Sequence, residues 1–181
     1  MERFEIRLSG AGGQGMILAG IIIAEAALHE DGLNVTQTQS YGPESRGGAS
    51  RAEVVLSTDI IDFPKVIKPD ILVSLTQEAY DKYNKDVKKE GIIIVDDSIE
   101  TDEKEVKTYK LPIFDKAINE VEMKLTANIM VLGILDKLLP QIRTSSLRKA
   151  VKKRVPENTT AVNMKAFAVG QELAEGGNIG E

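Results

Sequence analysis

Hydrophobic and polar positions change period along this chain, and each change marks an element. Phe4, Ile6 and Leu8 alternate with Glu5 and Arg7 up to Ser9-Gly10, which predicts a first strand. After a glycine cluster, "MILAGIIIAEAALHEDG" predicts a helix of about fifteen residues, with Gly32 as its C-cap. Its apolar residues run almost all the way round, so it should be buried on more than one side. "NVTQTQS" is a second strand candidate, and "SRAEVVLS" alternates again as a third. "TDIIDFPKVIKPD" breaks the pattern around two prolines and predicts a turn. "ILVSL" and "IIIVDDS" are short apolar runs suited to parallel strands covered on both faces, with the polar-faced helix "TQEAYDKYNKDVKKEG" between them.

"EVKTYKLP" is a weaker strand, and "TANIMVLGILDKLLP" is an apolar helix interrupted by Gly133 and ended by Pro140. "TSSLRKAVKKRVP" offers Ser/Thr N-caps and a Pro stop, and "NTTAVNMKAFAVGQELAEGG" is the last helix. The glycine-rich end is expected to fray over the last ~8 residues. Strands alternating with helices predict an α/β fold: one three-layer Rossmann-like domain, residues 1–181, around a mainly parallel sheet. The third strand follows the second through a loop and not a helix, so the sheet can be mixed, with one antiparallel pair.

Composition narrows the function. The 181 residues suffice for one domain with a sizeable core, and 42% apolar with 28% charged residues is a globular balance. Acidic Glu2 and Glu5 stand where a signal peptide needs bases, and the apolar run Met16–Leu28 contains Glu25 and falls short of a bilayer span. A cytoplasmic, unanchored protein is expected. With no cysteine there is no disulfide, thiolate zinc site or cysteine-ligated cluster. The one histidine, His29, reads as a solvated last-turn residue. A net charge of −5 argues against a nucleic-acid partner; the basic stretch Arg148–Arg154 has Leu147, Ala150, Val151 and Val155 at helical spacing and reads as a solvated helix face.

Candidate chemistry concentrates in two glycine-rich stretches. Gly10-Ala11-Gly12-Gly13-Gln14-Gly15 matches G-x-G-x-x-G between a strand and a helix, where backbone N–H groups can approach a diphosphate at the helix N-terminus. A dinucleotide site also needs a carboxylate at the end of the second strand, and that strand ends Thr38-Gln39-Ser40. The nicotinamide reading therefore weakens. Close strand–helix packing alone would also use Gly10, Gly12 and Gly15. The second stretch is Ser40-Tyr41-Gly42-Pro43-Glu44-Ser45-Arg46-Gly47-Gly48. Pro43 forces a turn, Glu44 and Arg46 can pair, and Arg46 with the Gly47 and Gly48 amides would make an anion site. A surface turn with a salt bridge worth under ~1 kcal/mol is the plainer alternative. Asp96-Asp97 ends a strand, where a metal, a hydroxyl or a helix N-terminus could be held. No catalytic set can be assembled.

"GAGGQG" after the first strand, "SYGPESRGG" after the second, then "PDILVSL", "ANIMVLG" and a late "N…AF..G" helix resemble the gamma subunit of the 2-oxoacid:ferredoxin oxidoreductases. The resemblance covers Phe4 to about Leu173. It implies a subunit, without its own catalytic or metal-binding residues, of an enzyme that oxidatively decarboxylates a 2-oxoacid to an acyl-CoA. The 2-oxoglutarate enzymes are the best match; pyruvate, branched-chain 2-oxoacid and indolepyruvate enzymes are the alternatives. Thiamine diphosphate, Mg2+ and iron–sulfur clusters would sit on alpha, beta and ferredoxin-like delta partner subunits, with ferredoxin reached through the complex and coenzyme A contacted in it. Both glycine stretches are then the candidate site. Asn128 and Gly133 would pack. A stand-alone NAD dehydrogenase and a purely structural docking subunit are the competing readings.

Overall fold

The computed structural model describes residues 3–40, 49–102 and 105–180. Six strands form one sheet: β1 (Phe4–Ala11), β2 (Asn34–Ser40), β3 (Ala49–Ser57), β4 (Ile71–Ser74), β5 (Ile92–Asp96) and β6 (Lys107–Leu111), in the order β2-β3-β1-β4-β5-β6. β1, β4, β5 and β6 pair in parallel, while β3 runs antiparallel to both β1 and β2. The sheet is thus mixed through a single reversed strand.

The helices are α1 (Met16–Ala27), α2 (Gln77–Tyr83), α3 (Ile113–Asn119), α4 (Ala127–Asp136), α5 (Thr144–Arg154) and α6 (Thr160–Gly176). The chain leaves β1 toward one sheet edge through α1 and leaves β4 toward the other through α2. Parallel crossovers are right-handed, so the two helices land on opposite faces and the strand order reverses between β1 and β4. Alternate residues Ile6, Leu8, Val54, Leu56, Ile71, Val73 and Ile94 bury against α1 and α3–α6. The other face buries Leu72, Ile93 and Val95 under Tyr80 and Tyr83 of α2. The three layers are therefore unequal.

That thin layer explains where alternation misleads. Glu5 and Arg7, the polar partners of Ile6, are both buried. Arg7 pairs with Glu53 at 3.0 Å and Asp86 at 2.8 Å, and its guanidinium lies 5.3 Å from the Tyr83 ring centre. Glu5 accepts from the amides of Ile67 and Lys68 at 2.9 and 2.8 Å, fixing the 58–70 connection. Charges replace the missing helices, each held by partners that offset its desolvation.

Helix ends differ from expectation in instructive ways. α1 stops at Ala27, and His29 and Glu30 amides bond three residues back before Gly32 turns at φ +73°. The helix of "TQEAYDKYNKDVKKEG" is only seven residues, capped by Thr76 through the Ala79 amide at 3.3 Å. α3 was not legible at all; its Phe114 amide donates 2.9 Å to Asp96 Oδ2, a cap supplied from β5 and not from adjacent sequence. Beyond α6, Ile179 is buried and its amide donates to Ala174 O at 3.0 Å, where composition alone suggested fraying.

Gly133 does not interrupt α4. A Cβ there would overlap the Phe167 carbonyl oxygen of α6, and one on Gly170 would overlap the Met130 carbonyl, so the two helices cross backbone to backbone. Glu25, on buried α1, accepts from Lys153 and Arg154 of α5. These hydrogen bonds outweigh burial and hold its carboxyl below the ordinary glutamate value of 4.5.

Two outcomes follow from these contacts. Gly133→Ala should cost about 2 kcal/mol or more and lower Tm by roughly 4–8 °C, whereas Gly176→Ala, with open space around it, should not lower it. Because folding depresses the Glu25 pKa, its ion-pair contribution is present above pH 4.5 and is lost as pH falls below it. The stability advantage of the native chain over Glu25→Gln, from denaturant melts, should therefore shrink from pH 6 to pH 3.

Candidate functional site

β1 continues through Gly10 and Ala11 and then turns at Gly12-Gly13 into α1. Gln14 folds back: its side-chain Oε1 accepts from the Ala11 amide at 2.8 Å, and its own amide donates to Ala11 O at 3.2 Å. Gln14 thus closes the turn onto the end of β1 through both its side chain and its backbone. A side chain on Gly10 would collide with that Gln14 oxygen. Gly15 starts α1 at φ +76°, and Asn128 Nδ2 donates to its carbonyl at 3.3 Å from the first turn of α4. Any Cβ on Gly15 would strike the Asn128 amide. Gly10, Gln14, Gly15 and Asn128 are thus the frame of the loop.

Gly12 and Gly13 are different. Both are exposed, and a Cβ at either would meet nothing within 4 Å. Gly13 turns at φ +88°, which only glycine adopts readily, whereas no neighbour requires a glycine at Gly12. α1 begins without a side-chain cap and without an acidic residue in its first turn, so none of its own side chains offsets its positive end. A cleft of about 70 Å³ beside it is lined by Gly13, Gln14, Phe114, Lys124, Leu125 and Ala127. The Lys124 ammonium lies 5.6 Å from the Phe114 ring centre. Sequence reasoning missed Phe114 and Lys124, because no motif joins residues about 100 positions from the loop; only the fold back through α3 and α4 brings them there.

Ser40 ends β2, exposed, opposite Arg51 of β3, and Arg51 in turn lies opposite Ser9 of β1. Ala49, the first residue of β3, pairs with Ala11. Both ends of the second glycine stretch therefore attach at the same end of the sheet from which the first loop leaves β1. β3 separates β1 from β2, so the two stretches leave strands that are not neighbours. Tyr41, Gly42, Pro43, Glu44, Arg46, Gly47 and Gly48 lie outside the described residues. Asp96 is buried and its oxygens take the Ser98 amide, the Ser98 hydroxyl and the Phe114 amide. It is a structural pin. His29 is exposed at the end of α1. Among the described residues no three His, Cys, Asp or Glu side chains cluster as a metal would need, and no helix is long and apolar enough to cross a membrane.

A loop so framed, on a sheet of this order, has relatives. The family model described as pyruvate ferredoxin/flavodoxin oxidoreductase matches residues 5–173. The chain belongs to this family. Among its members, the 2-oxoglutarate synthase subunit KorC of Methanocaldococcus jannaschii is 51% identical over 177 residues, spanning 96% of this chain and 95% of that one. The gamma subunit of a keto/oxoacid ferredoxin oxidoreductase from Geobacter sulfurreducens superposes with a TM-score of 0.86 at 43% identity, over 98% and 99% of the two chains. The 2-oxoglutarate:ferredoxin oxidoreductase of Magnetococcus marinus, solved with 2-oxoglutarate, coenzyme A and succinyl-CoA bound, gives 0.86 at 26% identity. There, 97% of this chain matches 32% of a longer one. The resemblance read from the paired glycine motifs thus holds: this is a gamma-type member of the pyruvate ferredoxin/flavodoxin oxidoreductase family.

The frame and the open glycines should respond differently to substitution. Gly15→Ala is expected to destabilise the fold by about 1–3 kcal/mol, through both its positive φ and the Asn128 contact. Gly12→Ala should leave Tm within about 2 °C of the native chain, which thermal unfolding of the two variants side by side will show.

Proposed function

We propose that this chain is the gamma subunit of a 2-oxoglutarate:ferredoxin oxidoreductase. The complex would convert 2-oxoglutarate and coenzyme A to succinyl-CoA and CO2, passing the released electrons to ferredoxin. The observation that carries this reading is the 51% identity, over nearly the whole length of both chains, to a 2-oxoglutarate synthase subunit. The residues agree with a supporting role. The chain has no cysteine to hold an iron–sulfur cluster. The clusters, thiamine diphosphate and Mg2+ are assigned to alpha, beta and delta partner subunits.

The glycine loop does suit a coenzyme A diphosphate. Gly12 and Gly13 are exposed with open space where a Cβ would stand, α1 begins beside them without a side-chain cap, and Lys124 stands on the cleft wall. Gly10, Gln14 and Gly15 hold the loop in shape. Ser40, Tyr41, Gly42, Pro43, Glu44, Arg46, Gly47 and Gly48 are assigned to the same site, with Arg46 meeting a phosphate. Coenzyme A supplies the thiol that takes up the acyl group; this chain's part is to bind and orient it.

Purification of the native complex through a tag on this chain, followed by assay, tests the reading. The chain alone should turn over no 2-oxoacid, and the complex should prefer 2-oxoglutarate to pyruvate and 2-oxoisovalerate. Lys124→Ala and Arg46→Ala should each raise the KM for coenzyme A by roughly tenfold with kcat little changed, the size of a lost charge-assisted hydrogen bond. Turnover by the isolated chain, or preference for another 2-oxoacid, would overturn the assignment. Loss of assembly in Arg46→Ala with an unchanged KM would make the second stretch a docking element.

A further inference from the structure

Charge is not spread evenly along this chain. Residues 137–156 hold seven of its 23 Lys and Arg and none of its 28 Asp and Glu. The net charge of −5 is therefore the sum of a basic segment and a strongly acidic remainder. Five of the seven cations lie on α5, where Leu147, Ala150 and Val151 are buried and Arg148, Lys149, Lys152, Lys153 and Arg154 are exposed. Helical spacing puts Lys149, Lys152 and Lys153 together on the outer face.

The chain's own carboxylates neutralise only part of this segment. Lys137 pairs with Glu175 and Arg143 with Glu30, both at 2.8 Å. Lys153 and Arg154 share the single carboxylate of Glu25, which leaves one positive charge over. Arg148 is held by neutral groups: it donates to Gln171 Oε1 at 3.0 Å, and its guanidinium lies 5.4 Å from the Phe167 ring centre. Among the described residues no carboxylate pairs with Arg148, Lys149 or Lys152. Cations in a last turn suit the helix dipole, but Arg148 and Lys149 stand before the last turn of α5. Beside this face Ile21, Ala24 and Leu28 of α1 line a cavity of about 380 Å³ together with Lys153 and Arg154, and Leu28 is 71% exposed.

We infer that the outer face of α5, with the α1 lip beside it, docks a carboxylate-rich segment of another subunit of the oxidoreductase complex. Asp or Glu side chains of that segment meet Arg148, Lys149 and Lys152, and a large apolar side chain enters the cavity at Leu28. Charge complementarity defines the occupant: a face this basic, on a chain otherwise acidic, selects an acidic partner. Exposed ion pairs contribute little each, so the charges set partner and orientation while the apolar contact supplies the hold. An extended polyanion fits less well. The face is a single eleven-residue helix, about 16 Å long, in a chain whose other residues carry the acidic excess and repel DNA or an anionic membrane around it. The inference rests on the chain being one subunit of several and not on which 2-oxoacid the complex takes.

A carbodiimide, which joins an amine directly to a carboxylate, tests this on the purified native complex. Mass spectrometry should find Lys149 and Lys152 joined to Asp or Glu of another subunit. The double variant Lys149→Glu, Lys152→Glu, shown to be folded by its thermal unfolding, should reduce recovery of the chain in the complex by roughly tenfold or more. Exchanging the joined partner carboxylates for lysines should restore it. Leu28→Glu should weaken the same association, and raising salt from about 0.05 to about 0.5 M should weaken it for the native chain. Cross-links confined to this chain or to a second copy of it, or none at either lysine, would overturn the inference. Assembly indifferent to the double reversal would overturn it as well. So would retention of duplex DNA or of phosphatidylserine vesicles by the native complex that the double variant loses, which would give the face to a polyanion. None of these outcomes alters which 2-oxoacid the assembled complex prefers, so this inference and the assignment to 2-oxoglutarate fail separately.

Discussion

The backbone-to-backbone crossing of α4 and α6 is the contact on which the glycine loop depends. Gly133 and Gly170 let each helix meet a main-chain carbonyl of the other, a separation that no side chain on either residue would permit. That crossing seats α4 against the sheet, with every residue from Ala127 to Leu135 buried. From the first turn of α4, Asn128 reaches Gly15 and fixes the residue at which β1 hands over to α1. The shape of the loop is thus set by helices more than a hundred positions away in the chain.

The division of labour among the loop's residues has the same origin. Gly10 and Gly15 are glycines because neighbours leave no room, Gln14 closes the turn by giving a strand-end amide an acceptor, and Gly13 turns the chain at φ +88°. One motif therefore joins residues fixed by packing to residues left exposed. The cleft wall opposite, Phe114 and Lys124, belongs to elements that follow β6.

The sheet's other face shows a second economy. Among the described residues α2 is the one α-helix on it, so Glu5, Arg7 and Glu53 are buried under tyrosines and a connection and not under a helix layer. Arg7 is satisfied by two carboxylates and a ring, and Glu5 by backbone amides. Removing one partner of such a set leaves an unpaired buried charge, which is far more costly than the pair is favourable. This asymmetry ties the 58–70 connection and the turn at Asp86 to β1 and gives the thin side of the domain its rigidity.

Local sequence determined the elements themselves wherever pattern and punctuation agreed: β1, α1, β4, β5 and α6 follow from period, apolar runs, and glycine or proline stops. It also located the Gly10–Gly15 turn, because a glycine cluster between a strand and a helix has few other solutions, and it identified the family. Tertiary structure alone decided the rest. α3 could not be read, since its amide is capped by Asp96 from another strand. Asp96 itself, open between metal ligand and cap, became a pin only when β5 met α3. Gly133 read as an interruption because a helix-weakening residue carries no sign of the partner backbone that requires it. Glu5 and Arg7 read as a polar face because alternation reports which residues differ, not which side is covered. These are long-range facts, fixed by strand order and helix crossing, and no window of local sequence contains them.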